Sequence, residues 1–113
     1  MNELVARLAA GDHPVIAGGP NPSVKDLQYR IAEIGWVHVK FTGTRGGTEL
    51  GIPLDKAACD LSGADFENSS GTVHLEGDLT LNYDRVRVIA DIDLATLDGT
   101  GHLVVLEESV SIT

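Results

Sequence analysis

The chain has a single cysteine, Cys59, which excludes an intrachain disulfide and any CxxC metal pair. Aromatic residues are nearly as scarce. Trp36, Tyr29, Tyr83, Phe41 and Phe66 are the only ones among 113 residues, so Val, Leu and Ile have to supply most of a core. No apolar run approaches the roughly 20 residues of a membrane-spanning helix, which argues against a membrane role. Residues 1–11, charged at Glu3 and Arg7, lack the apolar centre of a secretion signal, and the expected compartment is the cytoplasm. The glycosylation-type pattern Asn68-Ser69-Ser70 then reads as an exposed loop, and Cys59, with no nearby residue in sequence to lower its pKa, as a small core residue.

Cations are missing from one half of the chain. Residues 1–56 hold six Lys/Arg against six Asp/Glu, whereas residues 57–113 hold only Arg85 and Arg87 against eleven acids, so the whole net charge of −9 falls in the second half. Such a surface repels phosphates, which speaks against a nucleic-acid partner. It suits a basic partner, a divalent cation, or plain solubility. Also absent are a nucleophile elbow, an HExxH helix and a Ser/His/Asp signature. The Gly-rich run from Thr42 to Glu49 fits neither the dinucleotide nor the P-loop spacing. It reads as a hairpin tip at which Arg45 is a candidate contact for an anion or a partner.

What the sequence does contain is alternation. From Thr72 to Glu108 apolar and polar residues repeat with a period of two, interrupted only by turn formers, and this predicts a three-stranded meander. Val73, Leu75, Leu79 and Leu81 share one parity; His74, Glu76, Asp78 and Thr80 share the other. With Tyr83-Asp84 and Asp98-Gly99 as two-residue turns, Leu79 faces Val88, Leu75 faces Ile92, and Ile92 faces Val105. An earlier hairpin is expected from strands at 36–42 and 50–54 around Gly46-Gly47, pairing Phe41 with Ile52. Pro53 marks the second of these as an edge strand.

Two helices precede the sheet. Leu4, Val5 and Leu8 form an apolar face over residues 3–10, with Asn2 as the cap and Gly11 as the stop. Ser23 and Asp26 form a capping box for a second helix, whose stripe is Val24, Leu27, Ile31 and Ile34 and which ends at Gly35. The segment 13–22, rich in Gly and Pro, is expected to be a loop. The fold class is therefore α+β: one domain over 1–113, with two N-terminal helices packed on an antiparallel sheet of about five strands.

In that register the polar face sets His74 opposite Asp93 and Glu76 opposite Asp91, with Asp78 one step along and Arg87 beside Thr80. Opposed carboxylates are unfavourable unless neutralised. Three explanations suit the pair: a bound divalent cation, one carboxylate with a raised pKa acting as a general acid or base, or two solvated side chains that splay apart. Val104 and Leu106 share the parity of Asp91 and Asp93, so the polar face turns apolar at the C-terminal strand, and a cover is expected there. The cover is either the two helices or another protein. Two functions follow. The first is an accessory or binding protein that uses Glu76, Asp78, Asp91, Val104, Leu106 and Arg45 to contact a partner protein, a second copy of itself or a small ligand. The second is a small isomerase, cyclase or hydrolase with His74 and Asp93 as an acid–base pair. Neither the cofactor nor the metal, if any, is specified by these residues.

Overall fold

A computed structural model describes residues 3–108. Among them, helix α1 (Glu3–Ala9) leads into strand β1 (His13–Ala17), and α2 (Val24–Tyr29) widens into a π-helical turn (Arg30–Ile34). Strands β2 (Trp36–Phe41), β3 (Thr48–Pro53) and β4 (Ala64–Asp65) follow, then the long β5 (Ser70–Leu81), β6 (Asp84–Asp93) and β7 (Asp98–Glu107). These seven strands make one antiparallel sheet in the order β3-β2-β1-β7-β6-β5-β4, two more strands than the pattern suggested.

Ser23 and Gly35 bound the second helix as anticipated, whereas the Asp26 carboxylate accepts from Arg30 Nε at 2.9 Å. Ser23 is extended (φ −155°) and its hydroxyl accepts the Asp26 amide at 3.0 Å, while Gly35 ends the π turn at φ +72°. The cap expected at Asn2 lies outside the described residues.

The segment expected as a loop at 13–22 instead begins with β1, and β1 is central. It pairs with β2 (Val15↔Phe41) and with β7 (Val15↔Gly99). Pro14 is tolerated because its carbonyl, which accepts the Thr42 amide at 3.1 Å, points to the β2 side just past the first ladder pair. Its ring nitrogen faces the same side, so the one bond it forfeits, to the Thr42 carbonyl, is the last of that ladder, and the β7 side is untouched.

Each hairpin keeps the predicted faces but not the predicted register. The β5–β6 turn is Asn82-Tyr83, both at positive φ (48° and 74°), not Tyr83-Asp84, so Leu79 faces Val86, Leu75 faces Ala90 and Val73 faces Ile92. The β6–β7 loop is residues 94–97, with Leu97 at φ +60°, not Asp98-Gly99, so Val88 faces Leu103 and Val86 faces Val105. In the first hairpin Phe41 faces Thr48 and Val37 faces Ile52. All of these shifts are even numbers of residues, so every side chain stays on its face.

The sheet curls until its far parts meet. Leu54 bridges to Gly77 on β5, and the Asp55 amide donates to the Glu76 carbonyl at 2.9 Å. A methyl group at Gly77 would lie 2.1 Å from the Pro53 carbonyl oxygen, so only glycine allows this approach. Farther along the same connector, Asp60 and His74 exchange both backbone hydrogen bonds at 2.9 Å, which covers the outer edge of β5. The inner face closes around Val15, Val37, Val39, Phe41, Ile52, Val73, Leu75, Val88, Ile92 and Leu103, with Val5 and Leu8 of α1 and Leu27 and Ile31 of the second helix completing it. No described helix is long and apolar enough to cross a membrane.

Candidate functional site

The outer face of β5 and β6 carries a chain of charged groups held by strand alternation. His74, Glu76 and Asp78 project from β5; Arg87 and Asp91 project from β6, His74 opposite Asp91 and Asp78 opposite Arg87. Glu76 faces Ile89, so the opposed carboxylates predicted for Glu76 and Asp91 do not occur. The imidazole lies between them. Its Nδ1 is 2.7 Å from Asp91 Oδ1 and its Nε2 is 2.7 Å from Glu76 Oε2.

Arg87 extends the chain. One terminal nitrogen donates to Glu76 Oε1 at 3.0 Å and the other to Asp55 Oδ2 at 2.9 Å, and Nε forms an ion pair with Asp78 Oδ1 at 2.9 Å without hydrogen-bond alignment. One guanidinium thus answers three carboxylates, which suits its fixed fork of donors. Arg87 and Asp55 are what the sequence reading missed. The signal for Arg87 was its place as one of only two cations in the acidic half; Asp55 offered none, because its approach depends on the curl at Gly77.

The electrostatics follow from these contacts. Hydrogen bonding to Glu76, then to Asp91, holds the His74 pKa above its ordinary 6.5, and the protonated imidazole can donate from both nitrogens at once. The same bond, followed by that from Arg87, holds Glu76 below its ordinary 4.5. Asp55 is lowered chiefly by its bond to Arg87. The stabilisation from a raised His74 is complete below pH 6.5 and fades as pH rises through the raised value. That from Glu76 is complete above pH 4.5 and fades as pH falls through the lowered value. The cluster therefore contributes most between these two limits. Denaturant titrations of the wild type and His74→Gln are expected to differ most near about pH 5.5 and to converge as the solution turns alkaline. An unchanged gap across that range would mean that folding does not shift the pKa of the imidazole.

Asp93, the proposed partner of His74, is two residues too far along. It lies opposite Thr72 and Asp98, and its Oδ1 accepts the Ala95 amide at 2.8 Å, closing the β6–β7 loop. Arg45 stands exposed at the β2–β3 tip, remote in the sheet order from His74. No group of three or more His, Cys, Asp or Glu among the described residues is arranged to hold a metal ion. The bonding explains this, since both His74 nitrogens and both Glu76 oxygens are already taken.

The apolar end of the face lies on β7. Val104 stays 39% exposed and Leu106 49% exposed, although α1 packs against the same strand, so the helices are not their cover. Beside them Ile89 of β6 is half-buried. β1 pairs with β7 only as far as Gly101, so residues 102–107 have β6 on one side and no described strand on the other. No protein-family model and no curated protein matches this chain.

Proposed function

We propose that the chain is a non-catalytic binding protein that docks on a partner protein through the outer face of β7. The observation that carries this reading is the exposed row of Val104 and Leu106 on a strand segment that has no second strand neighbour among the described residues. Exposed aliphatics in a row beside an unpaired strand edge are the usual mark of a contact surface. Glu107 and Glu108 border the row, so the complementary partner surface is an apolar patch rimmed by Lys or Arg. The charged cluster beside it supports the same view. Both nitrogens of His74 and both oxygens of Glu76 are already bonded, and a general base needs a free nitrogen or oxygen within reach of substrate. This gives the alternative, an isomerase, cyclase or hydrolase using His74 and Asp93, less support than the binding role.

Val104→Glu combined with Leu106→Glu is expected to leave the fold intact, because both side chains point away from the core. It should abolish whatever association the face supports. Sedimentation decides between occupants. A wild-type dimer that becomes monomeric in the double variant identifies a second copy. A monomeric wild type that holds a co-purifying protein, which the double variant releases, identifies a partner. Association unchanged in the double variant would overturn the reading.

A further inference from the structure

On the other side of the connector the sheet and the second helix leave a cavity of about 280 Å³. Its walls are Ile31, Ala32, Leu54, Leu61 and Phe66. Ile31 and Ala32 belong to the π-helical turn, a rare geometry often found at functional sites. Lys56 stands at the lining, and no ion pair involves it among the described residues. Asp55, its neighbour in sequence, is bound to Arg87 instead, so the exposed Lys56 ammonium is free to meet an anion at the mouth of the cavity. Apolar walls joined by the Lys56 ammonium and the Gln28 amide suit an amphipathic anion, whose body is buried while its charge is met at one place.

We propose that this cavity binds a small monocarboxylate with an apolar body, the carboxylate meeting Lys56 and the body lying against Phe66, Leu61 and Ile31. Size narrows the class. An apolar cavity of about 150 Å³ accepts benzene, so one of this volume takes about twice that body, an alkyl chain of about eight carbons or a fused bicyclic ring. The site is separate from the β7 face, and the two readings stand or fall independently.

Cys59 provides a local readout. It lines the cavity, its Sγ lies 3.5 Å from the Glu76 amide nitrogen, and it is the chain's one cysteine. Burial pushes its thiol pKa up, so alkylation is followed in alkaline solution. Octanoate is the probe and octan-1-ol the uncharged control. Octanoate is expected to slow Cys59 alkylation by iodoacetamide saturably and to raise the melting temperature by mass action, binding about fivefold tighter than octan-1-ol. Lys56→Met should remove that fivefold preference and leave octan-1-ol binding unchanged. Ala32→Trp, at an exposed position on the π turn, should fill the chamber and abolish protection by both. Three results would overturn the proposal: no saturable protection by octanoate, equal binding of acid and alcohol to the wild type, or protection that survives in Ala32→Trp.

Discussion

Ile92→Ala is expected to cost about 2–5 kcal/mol of folding stability, measured as a drop in the urea midpoint at unchanged slope. Ile92 is 0% exposed, lies between Val73 and Gly99 across two ladders, and sits within the cluster that closes the inner face. Removing three of its carbons leaves a space that rigid strands on both sides cannot collapse to fill. Leu79 gives the contrast. It faces Val86 toward the free end of the β5–β6 hairpin and is only partly buried, so Leu79→Ala should cost less, under about 2 kcal/mol. A loss below about 1 kcal/mol at Ile92 would mean that the inner face has been assigned wrongly.

Gly77→Ala is expected to cost about 1–3 kcal/mol, although it adds a single methyl group. The new carbon would lie 2.1 Å from the Pro53 carbonyl oxygen and 2.6 Å from Ile52 Cγ2, so β3 and β5 would have to part. The local sign is faster hydrogen exchange at the Asp55 amide, whose acceptor is the Glu76 carbonyl. Gly63→Ala serves as the control. Its nearest neighbour, the Thr72 carbonyl oxygen, would be 3.6 Å away, and its stability should change by less than about 1 kcal/mol. Equal losses at the two positions would show that the closure at Gly77 does not hold the sheet together.

Faces were legible in the sequence and registers were not, for one physical reason. Burial selects which parity turns inward, and a shift of two residues leaves parity untouched, so the apolar pattern of β5 fits Val86 opposite Leu79 as well as it fits Val88. The turn has to decide, and here Tyr83 takes a positive φ that its side chain does not favour, while Asp84 begins β6 fully buried. Neither choice is one that turn preferences select. The candidate site inherited that error: His74 meets Asp91, not Asp93, because the imidazole's neighbour moves with the register. β1 was hidden by its content, five residues with Pro14 inside and glycines after it, and is a strand because β2 and β7 hold it from both sides. Both helices were readable because their signals are local: an apolar face in α1, and Ser23 and Gly35 bounding the second.

The position of β1 also sets an order of events in time. His13 takes its place against Gly101, 88 positions along the chain. At a synthesis rate of about 5–20 residues per second, the ribosome needs several seconds to supply that neighbour. Until then one flank of β1 has no strand to bond, and Val15 and Ala17 lack part of their enclosure. A sheet whose early strand waits for a distant one folds slowly, in the range of milliseconds to seconds once all the pieces exist. During synthesis β1 therefore lacks its β7 neighbour until the last strand has been made, and that side of the sheet closes only then.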